Sequence, residues 1–286
     1  MNKSLATQEE AILWLRAQPE LQELARACYY DDPLLEAARR YEASEEWQAA
    51  REILPGKAGG ALDLGAGRGI GSYALAKAGW RVDALEPDPS AIVGRGAIER
   101  LAAESALPIR TLDGFAEKIP AQDETYDLVY GRQVMHHARN LQTMCEEIFR
   151  VLKPGGVLIA TREHVISHRR DLAVFLESHP LHHLYGGENA FLLDEYLGAI
   201  RAAGLRILKV YGSCDSAMNY FPETKAAMLE RLHSPFKKYM GNSITRALLN
   251  EKLPWTNWIN RFLAGRASRL DTSPGRLYTF LCRRPK

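Results

Sequence analysis

Histidines are concentrated in the middle of the chain, and they raise the first question about chemistry. Of the eight histidines, seven lie between His136 and His183, and three of these, His179, His182 and His183, fall within HPLHHLYGGEN (179–189). Imidazole is a common metal ligand, and it is also a base that works near neutral pH. The segment could therefore bind a metal ion, supply bases, contact a substrate, or play a structural part.

The spacing of these histidines argues against a metal site in the segment. His179 and His182 would share one face of a helix, but Pro180 lies between them and no Asp-x-His or carboxylate array accompanies them. We therefore expect no metal ion, and interpret the segment as either structural or in contact with a polar substrate. On the second interpretation, the contact residues are His182, His183, Tyr185, Glu188 and Asn189.

The segment LDLGAGRGIGSYAL (62–75) has the residue types of a ligand-binding turn between a strand and a helix. Asp63 ends an apolar run, and Gly65, Gly67 and Gly69 follow at alternate positions. Glycine lets the backbone turn tightly and approach a ligand, and the N-terminus of the following helix favours a carboxylate or phosphate. A nicotinamide-binding Gly-x-Gly-x-x-Gly loop counted from Gly65 would need glycine where Ile70 stands.

This loop and three later segments together resemble class I S-adenosylmethionine (SAM)-dependent methyltransferases. Glu86 ends the second predicted strand, 19 residues after Gly67, where a carboxylate can accept the hydroxyls of a ribose. GFAEKIPAQDETYDLVYG (114–131) is similar to the family's third and fourth strand region, and RVLKPGGVLIA (150–160) to its entry into strand five. The resemblance implies SAM as the methyl donor and S-adenosylhomocysteine as the product.

The resemblance also implies which residues contact the cofactor. The family often has Asp before the alanine at position 116, where it meets the adenine amino group, but this chain has Phe115. We expect adenine to be held by apolar contact with Phe115 and Pro87 and by the backbone of Ala116. The cofactor contacts expected from the resemblance are Asp63, Gly65, Ala66, Gly67, Gly69, Glu86, Pro87, Phe115, Ala116 and Arg132.

Two histidines follow predicted strands at the edge of the sheet where ligands bind. In an open α/β sheet, ligands lie beyond the carboxyl ends of the strands. His137 follows strand four and His164 follows strand five, so both are candidate bases for an acceptor hydroxyl. Glu163 could orient a histidine or bind an acceptor amine, and His137 could instead cap the next helix.

The order of apolar segments predicts how these residues are positioned. Strands and helices alternate from about residue 61 to 161, which predicts right-handed β-α-β units. We predict an α/β, doubly wound, mostly parallel seven-stranded sheet with an antiparallel last strand. A helical N-terminal cap (1–53) precedes the SAM-binding domain (54–213 and 275–286), and a helical insertion (214–274) separates strands six and seven.

The predicted insertion carries more positive charge than the rest of the chain. From Cys214 to Arg276 there are ten Lys or Arg and five Asp or Glu, a net charge of 10 − 5 = +5, whereas the whole chain has +2. The insertion is therefore either a solvated helical face or a lid that meets an anionic substrate or a membrane surface.

Several partner classes are disfavoured. The small net charge, and the lack of a zinc-finger or helix-turn-helix pattern or an [DN]PPY run, argue against nucleic acid. No signal peptide is recognisable, and no apolar stretch approaches the roughly 18 residues of a transmembrane helix. The four cysteines form no CxxC pair, so free thiols and a cytoplasmic location are expected. Oligomeric state is not indicated.

Three functions remain open at this point. The first is methyl transfer from SAM to an oxygen or nitrogen of a small polar molecule, which includes sugars and glycan precursors. The second is a non-catalytic scaffold with the SAM-binding fold. The third is an NAD-dependent oxidoreductase, which Ile70 disfavours.

Overall fold

One twisted sheet organises the chain in the computed structural model, which describes residues 7–179, 182–221, 223–235 and 254–286. The strand order is β3-β2-β1-β4-β5-β8-β7, and the two-residue β6 pairs with β5. Only β8 is antiparallel to its neighbours among these pairs, so the predicted seven-stranded sheet with an antiparallel last strand is confirmed. The strands are β1 (Gly60–Leu64), β2 (Arg81–Leu85), β3 (Ile109–Leu112), β4 (Tyr126–Arg132), β5 (Leu152–Ile166), β6 (Phe191–Leu192), β7 (Arg206–Tyr211) and β8 (Arg276–Arg283).

Helices cover both faces of this sheet, and the central strands are therefore apolar on both sides. In β1, Ala61 and Leu62 are both fully buried but belong to two different apolar clusters, one on each face. Leu128 and Val129 of β4 divide between the same two clusters. Continuous burial of this kind explains why the parallel strands read as apolar runs. The covering helices are α5 (Ile70–Lys77), α6 (Arg95–Ser105), α7 (Leu141–Val151) and α10 (Leu193–Ala202).

Within residues 7–53, the N-terminal segment forms four α-helices that pack against the sheet domain. Ser44 caps the fourth helix, because its hydroxyl accepts the Trp47 N–H at 3.1 Å. Trp47 is 1% exposed and packs edge-on against Tyr130 of β4, with 6.1 Å between ring centroids. The cap is thus joined to the core of the sheet domain. Its helices are α1 (Gln8–Ala17), α2 (Gln22–Ala27), α3 (Leu34–Glu42) and α4 (Glu45–Arg51).

Further helices follow β5 and lie between β7 and β8. After β5 come α8 (Asp171–Ser178) and α9 (His182–Tyr185). The insertion contains α11 (225–235) and α12 (Pro254–Leu270), while residues 236–253 of the predicted helical insertion lie outside the described residues. The domain boundaries themselves stay a prediction.

Two sequence expectations concern the chemistry of the chain as a whole. All four cysteines are free thiols, and three of them are buried. Within the described ranges, no helix combines the length and the hydrophobicity needed to cross a membrane.

Candidate functional site

The glycine loop between β1 and α5 has a backbone conformation that side chains disfavour. Gly65, Gly67 and Gly69 have φ angles of 63°, 54° and 82°, in the left-handed region. A Cβ at Gly65 would also lie 2.4 Å from Cγ2 of Val134, whereas one at Gly67 would meet no atom within 4 Å. Crowding and backbone conformation both require glycine at position 65, and the open space above Gly67 is room for a ligand.

Glu86 stands beside this loop at the carboxyl end of β2. Its carboxylate accepts the Gly67 N–H at 2.8 Å and the Asp88 N–H at 3.0 Å. The residue is 9% exposed, and burial raises the pKa of its carboxyl group. A carboxylate accepts about four hydrogen bonds, so Glu86 is held in place with capacity left for two hydroxyl groups.

Asp63 is the other acid at this end of the site. It is 2% exposed and accepts the hydroxyl of Ser72 at 2.5 Å. Burial raises its pKa to about 7, so near neutral pH the side chain is divided between its neutral and charged forms. Asp63 borders the same cavity as Glu86 and the glycine loop.

The residues expected to hold adenine lie together at the mouth of the cavity. Pro87, Phe115 and Ala116 all line it, and Phe115 is 53% exposed. The guanidinium of Arg139 lies 5.2 Å from the centroid of the Phe115 ring, a cation–π contact. Sequence reasoning missed Arg139, which comes 24 positions later with no motif to mark it.

Arg132 lines the cavity but is also part of a buried ion network. Glu46 of α4 receives two bonds from Arg132, at 2.6 and 3.1 Å, and one from Arg162 at 2.5 Å. Burial alone would raise the pKa of Glu46, but the two guanidinium groups outweigh it and hold the pKa below its usual value. A guanidinium has five N–H donors, so Arg132 retains donors for an anionic group in the cavity.

Arg68, inside the glycine loop, ties that loop to the N-terminal cap. Its guanidinium donates to the carbonyl oxygens of Tyr29, Asp31 and Ile92 at 2.7, 2.9 and 3.0 Å. It also bonds the carboxylate of Asp32 at 2.6 Å, and the Arg68 side chain is 3% exposed. The loop that would hold a ligand therefore shares its anchor with the segment joining α2 to α3.

One cavity of about 710 Å³ connects the glycine loop to the histidines. Glu86 and Gly67 line one part of it, and His136, His164 and Glu188 line another. Cys28, Tyr29 and Tyr30 of the cap also line this cavity, although no sequence motif marks them. The glycine loop, Glu86 and the histidines thus border one space beyond the carboxyl ends of the strands.

His136, which lines this cavity, forms a buried polar pair with Glu163. Nδ1 of His136 lies 2.7 Å from the Glu163 carboxylate, and these residues are 1% and 0% exposed. Burial lowers the pKa of His136 well below its usual value, and burial raises that of Glu163. We therefore assign a neutral His136 whose Nδ1–H donates to Glu163, leaving the lone pair of Nε2 for the cavity.

The two candidate bases are fixed in the same tautomer. Nδ1 of His164 lies 2.7 Å from the carbonyl oxygen of Gly275, and Nδ1 of His137 lies 3.0 Å from that of Gly187. A carbonyl only accepts, so each Nδ1 carries the proton and each neutral ring keeps its Nε2 lone pair. His137 has 39% of its side chain exposed, whereas His164 is 7% exposed and burial lowers its pKa.

Irregular backbone after β4 and within β5 brings the histidines and Glu163 together. The pairing of β5 with β8 shifts register between Ala160 and Glu163, and the intervening Arg162 has a φ of 61°. Gln133, directly after β4, has a φ of 56°. Irregularities of this kind redirect side chains next to functional sites. They place Glu163 where it accepts the backbone N–H groups of Val134 and His136, at 3.2 and 3.0 Å.

The histidine-rich segment contributes only part of its residues to the cavity. His179 and Glu188 line it, and Nε2 of His179 lies 4.0 Å from Oε2 of Glu188. His182 and His183 lie in α9, where Nε2 of His183 is 2.6 Å from the carbonyl oxygen of Glu177. Asn189 is half-buried in the loop before β6, and the side chain of Tyr185 lies outside the described part of the chain.

Comparisons with known proteins agree with this geometry. The "Methyltransferase domain" family matches residues 62–160. The chain is 28% identical to the ubiquinone biosynthesis O-methyltransferase of Methylobacterium nodulans over 57% of its length and 66% of that protein. It is 30% identical to the sarcosine/dimethylglycine N-methyltransferase of Aphanothece halophytica over 46% of its length and 45% of that protein. The chain thus spans less than two thirds of each of these curated relatives.

A solved structure shares the fold across almost the whole chain. Geranyl diphosphate C-methyltransferase from Streptomyces coelicolor A3(2), in complex with S-adenosylhomocysteine, matches with a TM-score of 0.60 and 14% identity over 99% of this chain and 100% of that one. The glycine loop and Glu86 lie within the matched methyltransferase domain, and SAM is the cofactor of such a domain. By the family match over residues 62–160 and by its strand order, the chain contains a class I SAM-dependent methyltransferase domain.

Proposed function

We propose that this protein transfers a methyl group from SAM to an oxygen or nitrogen atom of a small polar acceptor. The observation that carries the proposal is the single cavity, which has a nucleoside-binding loop in one part and imidazole lone pairs in another. When bound, SAM supplies a methyl group on a positively charged sulfur, which is a strong electrophile. The relatives named as O- and N-methyltransferases support the reaction class.

The chain's own contribution is mainly to hold the reacting groups and exclude water. Glu86 would accept the ribose hydroxyls, Phe115 and Pro87 would contact adenine, and donors of Arg132 would meet the carboxylate of the methionine part. Holding a nucleophile in line at near-attack distance can contribute roughly 7–11 kcal/mol to catalysis. The cap residues that line the cavity, among them Tyr29 and Tyr30, would keep water from competing for the methyl group.

An acceptor hydroxyl needs to lose its proton, and we propose that His137 takes it. The hydroxyl oxygen would form the new bond to the methyl carbon, and its proton would pass to the Nε2 lone pair of His137. Because His137 is partly exposed, that proton can then leave to solvent. His164 has the same tautomer but is buried, so we propose that it contacts the acceptor.

We also propose a polyhydroxylated acceptor, such as a sugar or glycan precursor. The support is the number of acceptor atoms that face the cavity, namely the imidazole nitrogens and the carboxylate of Glu188. His182, His183, Tyr185 and Asn189 remain predictions for acceptor contact at the edge of this region.

The first test is calorimetry with S-adenosylhomocysteine and with NAD. We expect S-adenosylhomocysteine to bind one site per chain and NAD to give no heat. Glu86→Ala should weaken binding at least about 10-fold, because two hydrogen bonds to the ribose are lost. His137→Ala is the matched control, which should bind within a few-fold of the wild type while losing about 10²-fold or more in turnover of a hydroxyl acceptor. Failure of the wild type to bind S-adenosylhomocysteine would rule out the proposal.

A further inference from the structure

The part of the cavity lined by His136, His164 and Glu188 is called its acceptor part here, and its imidazoles converge on one carboxylate. Oε2 of Glu188 lies 3.7 Å from Nε2 of His136, 3.9 Å from that of His137 and 4.0 Å from that of His179. One ligand atom each from His136, His164 and Glu188 all lie within 4.8 Å of one another. Ligands around a tetrahedral ion with 2.0–2.1 Å bonds are about 3.4 Å apart, so small side-chain movements would close this set on an ion.

The hydrogen bonds behind the rings are those that orient metal-binding histidines. His136 gives its Nδ1–H to the carboxylate of Glu163, and His164 gives its Nδ1–H to the carbonyl oxygen of Gly275, both at 2.7 Å. Such partners fix the tautomer and aim Nε2 at the metal. The His136–Glu163 contact is buried and the His164–Gly275 contact is part-buried, and these partners lie 27 and 111 positions away from their histidines in the sequence.

The ring of His164 also has a buried nitrogen that the described residues do not satisfy. Its Nε2 has no hydrogen-bond partner among them, and the residue is only 7% exposed. Buried polar atoms in folded proteins are nearly always paired, so an orphaned one that faces a cavity indicates a ligand. His164 is also one of the three residues of the convergent set.

We propose that Nε2 of His136, Nε2 of His164 and a carboxylate oxygen of Glu188 bind a divalent transition-metal ion. His179, whose Nε2 also faces Glu188, is available as a fourth ligand. Two imidazoles and one carboxylate suit Zn²⁺, Fe²⁺ or Co²⁺ better than Mg²⁺ or Ca²⁺, which prefer all-oxygen sites. The spacing within residues 179–189 predicted no metal, but this site is built from β5 and from the loops after β4 and α9.

The role of such an ion rests on the proposed function, whereas its binding does not. A divalent ion acts as a Lewis acid towards a hydroxyl oxygen and makes its proton easier to remove. It would therefore favour acceptors that present oxygen atoms able to bind a metal, and His137 would remain beside the ion as the base. The alternative occupant of the same position is an acceptor amine, which would bind between Glu188 and the histidines.

The experiment is a titration of the chelator-treated full chain with Co²⁺, followed by visible absorption. We expect one Co²⁺ per chain with ligand-field bands of a nitrogen- and oxygen-bound ion, and displacement of Co²⁺ by Zn²⁺. His164→Ala and Glu188→Gln should each weaken binding at least about 100-fold. Glu163→Gln changes the group behind His136, which also accepts the backbone N–H groups of Val134 and His136, and should weaken Co²⁺ binding about 10- to 100-fold.

His168→Ala is the matched control, because His168 is exposed and no member of the set; it should bind Co²⁺ like the wild type. Affinity for S-adenosylhomocysteine and circular dichroism are measured on every variant to establish that it folds. Metal binding that is absent, or equal in wild type, His164→Ala and Glu188→Gln, overturns the inference. If S-adenosylhomocysteine still binds in that case, the proposed methyltransferase stands without a metal and the amine interpretation is favoured. If Co²⁺ binds but S-adenosylhomocysteine does not, the metal site stands and the proposed methyltransferase function fails.

Discussion

At the scale of single residues, Asp63 shows how the site couples protonation to stability. Its ordinary pKa of 3.8 is raised to about 7 by burial at the end of β1. Between about pH 4 and pH 7, the folded chain therefore holds a proton that the unfolded chain has released. The free energy of unfolding falls as pH rises through this window, and this contribution is level above about pH 7.

Asp63→Asn should remove this dependence on pH. Asparagine keeps an oxygen that can accept the Ser72 hydroxyl but cannot ionise. Relative to the variant, the wild type should lose about 2–3 kcal/mol in unfolding free energy between pH 5 and pH 7.5. Urea unfolding of both proteins at the two pH values measures the difference, in which other titrating groups cancel. Parallel pH profiles would show that Asp63 is ionised throughout.

Neighbouring residues also show where residue-level prediction stops. His136 and His137 are adjacent and chemically identical in sequence, yet the first is buried against Glu163 and the second is partly exposed at Gly187. The sequence placed both after strand four, because a polar run follows an apolar one. It could not pair either with a partner 27 or 50 positions away, since those contacts depend on the register of β5 and on the path of the later loop.

At the scale of elements, one buried carboxylate of α4 forms ion pairs with both β4 and β5. Glu46 is 8% exposed and bonds guanidinium groups that come from both strands. Removing one member of a buried ion network leaves the opposite charges unpaired, and this costs more than the network contributes as a whole. The position of the cap over the cavity therefore depends on Glu46.

Glu46→Gln should lower the free energy of unfolding by about 3–5 kcal/mol, because Arg132 and Arg162 lose their counter-charge. The control is Glu36→Gln in α3, where the glutamate and its partner Arg39 are 58% and 56% exposed. An exposed pair of this kind is worth at most about 1 kcal/mol. Denaturant unfolding of the two variants compares them directly, and similar losses would mean that the buried network is not what holds the cap.

The order of elements was largely predictable, whereas the irregularities within them were not. Alternating apolar strands and amphipathic helices predicted the parallel sheet, and the C-terminal alternation from Leu277 to Cys282 predicted its last strand. The left-handed backbone at Gln133 and Arg162 carries no sequence signal, because non-glycine residues adopt it only when tertiary contacts impose it. These two positions precede the groups that build the acceptor part of the cavity, so its geometry emerged only in three dimensions.

At the scale of the whole molecule, the ligand cavity is shared between the sheet domain and the N-terminal cap. Cys28, Tyr29 and Tyr30 line it from one side and the glycine loop from the other, and Arg68 bonds both. A ligand bound in this space should therefore stabilise the cap as well as the loop. The spacing of apolar residues predicted that the cap is helical, and a helical cap was expected to cover the pocket, but nothing in the sequence marked Arg68 as the residue that joins it to the glycine loop.

Hydrogen exchange should reveal this coupling. With S-adenosylhomocysteine at about 100 times its dissociation constant, amides that exchange only when the cavity opens should slow by up to about 100-fold. We expect this for Cys28 and Tyr30, whose N–H groups bond Leu24 and Ala25 at 2.9 and 2.8 Å, and for Gly67. Amides of β7, at the far edge of the sheet, should be unchanged. Slowing confined to Gly67 would mean that the cap does not sense the ligand.

The buried network around Glu46 has a consequence for the order in which the chain can be completed during synthesis. Arg132 and Arg162 follow Glu46 by 86 and 116 positions. At 5–20 residues per second, the second guanidinium leaves the ribosome roughly 6–23 s after the carboxylate. The cap is made first but gains its permanent partners only when β5 has emerged. A nascent chain that stalls before Arg162 therefore presents an undocked helical segment to chaperones and proteases, because one of the two guanidinium groups that bind Glu46 has not yet been translated.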